Sequence, residues 1–241
     1  DGRIFDSKTG PADPELMRQA QIGYYACITH LDHQIGRLIM GLVEHEIYED
    51  TVILFTSDHG EELCDHHMFR KSRPYEGSCR IPLLFRAGSG TGITVKSGQR
   101  CHSVAELRDI MPTLLDIAGA EIPDSVDGKS LLPLAADTGQ TVRGWLHGEH
   151  SYGDFSNHWI VTEHDKYIWY PETGQEQYFD LSADPHELTD LSAEPGCQAR
   201  ISQLRGYLIQ SLKDRKEGFT DGEKLITGRP YPPTLETASM P

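Results

Sequence analysis

The reactive side chains of this sequence concentrate in one stretch, Ser57-Asp58-His59-Gly60-Glu61-Glu62-Leu63-Cys64-Asp65-His66-His67-Met68-Phe69-Arg70-Lys71, which carries three histidines and four acids. Asp58 and His59 set an oxygen and a nitrogen ligand side by side, a pair suited to a divalent ion. Two ligands do not complete a site, so the remainder must come from elsewhere in the fold. On residue type alone a second reading stands equal, in which Asp58 caps the following turn and His59 is a hydrogen-bonded loop residue. Lys71 stands with Arg70, Arg73 and Arg80 in an island of positive charge. Such a group can stabilise charge growing on a leaving oxygen or on an anionic substrate; the plain alternative is a set of solvated loop cations. His66 and His67 offer acid–base or substrate contacts, or simple hydrogen bonding. His147, Glu149, His150 and His158 form a second polar cluster open to the same alternatives.

The elements that must position these groups are legible on either side of them. Asp13 precedes Pro14, a capping acid before a proline at the first helical position. Leu16, Ala20, Tyr24, Cys27, Leu31, Ile35, Leu38 and Leu42 then recur at helical spacing, which predicts a long amphipathic helix ending near Glu46. Thr51 to Thr56 is a β-branched and apolar run, the pattern of a strand buried on both faces. It leads straight into Ser57-Asp58-His59-Gly60, at the carboxyl end of the strand where open α/β sheets bind ligands. Ile81 to Phe85 reads as another strand, with Pro82 at its start or on an edge. Asp109 to Gly119 is a short helix with proline in its first turn and a terminal glycine. Beyond Trp145 the pattern changes to three aromatic and β-branched runs, 158–164, 166–170 and 177–181, which predict an antiparallel meander. A helix from about Gln198 to Lys216 carries Ile201, Leu204, Leu208 and Leu212 on one stripe, and Thr227 to Pro233 reads as an extended tail. The predicted division is therefore 1–144, an α/β layer, and 145–241, a small antiparallel sheet with a packing helix and tail.

Composition bounds the function. The 241 residues hold 22 basic against 37 acidic side chains, a formal charge of −15, with 37% hydrophobic residues. That is a folded, acidic chain, and the charge opposes a nucleic-acid or anionic-membrane partner because phosphate binding needs clustered Lys and Arg. No stretch reaches the ~18 apolar residues of a transmembrane helix. Cys27, Cys64, Cys79, Cys101 and Cys197 are scattered without a paired motif, and an odd count leaves a thiol unpaired in any scheme. The cysteines thus lean towards a reducing, cytoplasmic setting.

Taken in order, Tyr24-Tyr25-Ala26, Leu31-Asp32 with Ile35-Gly36, Phe55-Thr56-Ser57-Asp58-His59-Gly60-Glu61, Asp65-His66, Lys71, Tyr75-Glu76 and Arg80-Ile81-Pro82-Leu83 resemble the carboxyl-terminal half of the sulfatase family, within the alkaline-phosphatase-like superfamily. The resemblance continues through Asp109, Pro112 to Asp116, Ala118-Gly119, Asp127-Gly128, Ser130 to Leu132, and Gln177 to Leu181 with Asp184-Pro185. It implies an alkaline-phosphatase-like mixed sheet flanked by helices, a small-molecule or carbohydrate sulfate ester as substrate, and a divalent cation, calcium in most sulfatases. It also implies a formylglycine, made from Cys or Ser in a C/S-x-P-x-R motif, whose hydrated aldehyde attacks sulfur. In that scheme Asp58 and His59 match metal ligands, with His59 where many members have Asn. Lys71 matches the lysine that contacts the sulfate and supports the leaving oxygen, and His66 matches a loop histidine near the substrate.

The departure from the family pattern is large. None of the five cysteines is followed by x-Pro-x-Arg, no Ser-x-Pro-x-Arg occurs, and no early Asp-Asp pair supplies further metal ligands. The expectation is a carboxyl-terminal part of a longer sulfatase, inactive alone and completed by an amino-terminal half or an oligomeric partner. Family resemblance favours a periplasmic or secreted parent. Two other readings remain: a phosphonate monoester or phosphodiester hydrolase of the same superfamily, which would take manganese or zinc, and a non-catalytic derivative that keeps the metal loop as a turn.

Overall fold

The computed structural model describes residues 13–151 and 156–229. Two compact units emerge, one of residues through Arg70 together with Arg80–Val142, the other of Lys71–Cys79 together with residues from Arg143 onward. The extended tail expected from Thr227 lies outside the described residues from 230 on.

In the first unit Asp13 accepts hydrogen bonds from the backbone N–H groups of Glu15 and Leu16, at 2.8 and 3.1 Å, and so starts α1 (Pro14–Glu44) as its position before a proline requires. No residue of this 31-residue helix is buried. β1 (Val52–Thr56) pairs antiparallel with β2 (Leu83–Ala87), Val52 opposite Ala87 and Thr56 opposite Leu83. The second strand starts two residues later than its apolar run, since Pro82 cannot donate to a ladder. β1 is only half-buried along its length, where its composition predicts burial on both faces. α3 (Ile110–Ile117) follows a one-turn 3-10 segment at Leu107–Asp109. The buried Asp109 organises this region: its carboxylate accepts from Glu106 N and Lys129 N, and its carbonyl accepts from the Thr113 hydroxyl. α2 (Glu76–Cys79) belongs to the second unit and α4 (Leu132–Ala136) to the first.

The second unit is a four-stranded antiparallel sheet, β3 (Leu146–His150), β4 (Asn157–Val161), β5 (Asp165–Trp169) and β6 (Glu176–Asp180), neighbours in chain order. Three of these strands are the predicted meander. β3 is additional, and its residues Leu-His-Gly-Glu-His lack the β-branched signature of a strand. α5 (Gln198–Leu212) lays Ile201, Leu204, Leu208 and Leu212, all buried, against Ile160, Tyr167, Trp169, Tyr178 and Phe219. Each such side chain contributes roughly 1.5–3 kcal/mol of hydrophobic burial. Gly148 has a steric reason: a Cβ there would come within 2.1 Å of the Trp159 ring across the β3–β4 ladder.

Candidate functional site

The chain leaves β1 at Thr56, and Asp58 and His59 follow within three residues. Asp58 is exposed, with its Oδ1 accepting from its neighbour's backbone, His59 N, at 3.0 Å. His59 Nδ1 lies 2.7 Å from the Gly60 carbonyl oxygen. A carbonyl can only accept, so Nδ1 carries a proton and Nε2 is the ring nitrogen left to face an ion. That Nε2 stands 3.4 Å from Asp58 Oδ2. One carboxylate oxygen and one imidazole nitrogen oriented by a backbone carbonyl fit a divalent cation, the Nδ1 bond to Gly60 being of the kind that orients a metal-binding histidine. The imidazole nitrogen suits manganese or zinc better than it suits calcium, which prefers oxygen.

After Gly60 the chain forms a closed loop. Glu62 N donates to Arg70 O at 2.9 Å and Cys64 N to Met68 O at 2.7 Å, while the Glu61 carboxylate accepts from Leu63 N and from Arg70 N. Gln21 of α1 donates to the Leu63 carbonyl at 3.2 Å and fastens the loop to the helix. His66 sits at its far end, in the one-turn segment Asp65–His67. Leu63, Cys64, His66, His67, Arg70 and Ser72 all adopt left-handed φ values between 45° and 88° without being glycine. Such residues cost about 1–3 kcal/mol each and cluster at functional loops. Asp58, His59 and His66 are thus carried by one unit, on one strand end and its loop.

Lys71 opens the segment Lys71–Cys79 of the second unit and is exposed. Its charge and that of Arg73 join burial in lowering the pKa of His150, at the end of β3; burial is the largest cause. The segment is held from behind by Lys166, which is 0% exposed. Lys166 Nζ lies 2.7 Å from Glu76 Oε1, 2.8 Å from Glu187 Oε1 and 2.9 Å from the Pro74 carbonyl oxygen. Burial works against its charge, but Glu187 and Glu76 more than offset it, so its pKa is raised above the ordinary 10.5 and the group is an ammonium. The sequence marks Lys166 only as part of a strand and carries no sign of this role, because its partners lie far away in the chain.

The second polar cluster is brought together: the ligand atoms of His147, Glu149 and His158 lie within 4.8 Å of one another. The arrangement is a hydrogen-bonded chain rather than a ligand set. His147 Nε2 and His158 Nδ1 are 3.1 Å apart with ring centroids 5.3 Å apart, so the two nitrogens aim at each other instead of at a common point. Glu149 Oε2, 3.4 Å from His158 Nδ1, is already bound by Arg215 Nη1 at 2.6 Å. Burial first, then His147 and Arg215, hold the His158 pKa well below 6.5, so its ring is neutral. Trp169 and Phe219 pack on it.

The helices and antiparallel sheets make a mixed α/β chain of the alkaline-phosphatase-like fold, similar to solved sulfatase-type structures with TM-scores of 0.75 and 0.74. Comparison with known proteins gives the family. The family description Sulfatase matches residues 6–120, and N-sulphoglucosamine sulphohydrolase, C-terminal, matches residues 64–214. The chain belongs to the sulfatase family. An arylsulfatase of Clostridium perfringens is 47% identical over 229 residues, covering 95% of this chain and 47% of that protein. The chain therefore spans about half the length of that relative. A solved structure in complex with its substrate D-glucosamine-2-N,6-O-disulfate is similar with a TM-score of 0.71 and 27% identity, over 77% of this chain and 39% of that one. A phosphonate monoester hydrolase from Silicibacter pomeroyi is similar with a TM-score of 0.74 and 26% identity, over 84% of this chain and 42% of that one. Among the described residues no helix is long and apolar enough to cross a membrane.

Proposed function

We propose that this chain is the carboxyl-terminal part of a sulfatase that hydrolyses an aryl or carbohydrate sulfate ester to an alcohol and sulfate. Residues 1–144 are then the second half of the catalytic domain and 145–241 its carboxyl-terminal subdomain, with the formylglycine nucleophile on an upstream segment. The observation that carries the reading is the Asp58–His59 pair: its Oδ2 and Nε2 stand 3.4 Å apart at the end of β1, and the His59 proton is committed to Gly60. Asp58 and His59 would hold the divalent cation, which supplies positive charge to the sulfate oxygens when bound. Lys71 would support the leaving oxygen, and His66 would contact the substrate at the loop tip. The natural substrate class follows the relatives, an arylsulfatase and a protein crystallised with a disulfated glucosamine.

A phosphonate monoester or phosphodiester hydrolase is the second reading, favoured by the likeness to the Silicibacter pomeroyi enzyme and by the imidazole in the metal pair. Turnover of an aryl sulfate against an aryl phosphodiester by the full-length enzyme separates the two. Dominant sulfate turnover supports the first reading and dominant diester turnover sinks it. Absence of a C/S-x-P-x-R motif from the full gene would favour a non-catalytic derivative instead.

A further inference from the structure

Lys71 stands three residues before Pro74-Tyr75-Glu76, and those three are held on both backbone and side chain. Lys166 Nζ donates to the Pro74 carbonyl at 2.9 Å and pairs as a cation with Glu76 Oε1 at 2.7 Å and Glu187 Oε1 at 2.8 Å. Glu187 uses its other oxygen to accept from Glu76 N at 2.6 Å, and it does so from a left-handed φ of 55°. The Tyr75 hydroxyl donates to Gln177 Oε1 at 3.1 Å, and its ring meets Phe179 edge-on with centroids 6.1 Å apart. One buried ammonium thus ties β5, the turn at Glu187 and the segment that begins with Lys71.

Stability alone does not account for this arrangement. Withdrawing an ammonium and two carboxylates from water costs several kcal/mol per ion, and a well-packed apolar trio commonly does as well or better. An apolar trio cannot, however, hold a carbonyl and an N–H of one segment at fixed positions. We propose that Lys166 is a positioning residue which, through Pro74 and Glu76, sets where the Lys71 ammonium stands for its work on the leaving oxygen. This rests on the assignment of Lys71 given above. Displacing that ammonium withdraws charge from an alkoxide or phenoxide as it departs, and the loss is greatest for the most basic leaving groups.

The test uses the full-length enzyme, with aryl sulfates whose phenols span a range of basicity, and the variants Lys71→Ala, Lys166→Met and the double replacement. Lys166→Met is expected to lower kcat by about tenfold or more, with KM changed less and with a loss that grows as the leaving phenol becomes more basic. The double variant is expected to be no slower than Lys71→Ala, because the two residues act through one group. A loss from Lys166→Met that is equal for all leaving groups, or that adds in full to that of Lys71→Ala, overturns the proposal. Should Lys71→Ala itself leave kcat and its leaving-group dependence unchanged, it is the assignment of Lys71 that fails. Glu76→Leu removes one of the three Lys166 contacts and decides the matter if circular dichroism shows Lys166→Met unfolded. A leaving-group-dependent loss in that milder variant supports positioning, and wild-type kcat overturns it.

Discussion

At the scale of the residue, the metal pair and the lysine are separable by experiment. Asp58 offers the one carboxylate of its pair, so Asp58→Ala in the intact enzyme is expected to abolish turnover together with retention of the divalent ion, measured by metal analysis after dialysis. Lys71→Ala is expected to leave metal content unchanged and to lower kcat by about 10²–10³-fold, the scale for removing one group that stabilises charge in the transition state. A variant at Lys71 that also loses the metal would contradict this division of labour. His158 carries a different kind of prediction. Its pKa is held well below 6.5 by burial, His147 and Arg215, while in the unfolded chain it returns to about 6.5. Between those two values the unfolded state binds more protons, so stability falls as pH drops below about 6.5. Urea midpoints at about pH 7.5 and pH 5 should differ, and His158→Phe, which keeps an aromatic ring beside Trp169 and Phe219, should shrink the difference. Glu149 is the one acid of that cluster and pairs with Arg215. The sequence marked Asp58, His59, His66 and Lys71 because their types and order are locally dense. It could not mark Lys166, whose importance comes from Glu76 and Glu187, ninety residues before it and twenty-one after.

At the scale of the element, legibility followed burial. The α5 stripe was readable since four apolar residues at helical spacing meet a solid core, and all four are buried. β3 was not, because its strand is made by pairing with β4 while its own side chains are a leucine, two histidines, a glycine and a glutamate. What allows that pairing is Gly148, over which the Trp159 ring lies. Gly148→Ala should therefore destabilise the second unit by about 1–3 kcal/mol, the usual cost of overpacking, since the half-buried Trp159 ring has to be displaced to admit the methyl group. Leu208→Ala, in a fully buried position of α5, should cost about 2–5 kcal/mol by opening a cavity. Denaturant melts would check both, and a Leu208 variant within about 0.5 kcal/mol of wild type would contradict the burial of that helix face. The loop between Gly60 and Lys71 is legible as polar but not as strained. Its five left-handed, non-glycine residues go with the closing hydrogen bonds at Glu61, Glu62 and Cys64, which no local pattern announces.

At the scale of the whole molecule, the two units differ in how complete they are. The second has a continuous buried core, whereas the long helix of the first presents Tyr25, Ile28, Leu31, Leu38 and Met40 to solvent, Leu38 at 65% exposure. A thirty-one-residue helix gains little from propensity alone and normally draws its stability from a packed apolar face. β1 and β2 are likewise only half-covered, with Leu84 at 58% exposure. Alongside the relatives, of which this chain spans about half, these faces fit the proposal that an amino-terminal half covers them. The proposal has a quantitative consequence at Leu38. In this 241-residue chain Leu38→Ala should change stability by no more than about 0.5 kcal/mol, the range for exposed sites. In the full-length enzyme the same change should cost about 2–5 kcal/mol, the range for a leucine withdrawn from a packed interior. Equal, small effects in both proteins would mean that the α1 face stays in solvent in the complete molecule. The same contrast should appear without mutation: the 241-residue chain should bind a hydrophobic dye strongly and the full-length enzyme weakly, because the exposed stripe is apolar over most of the length of α1.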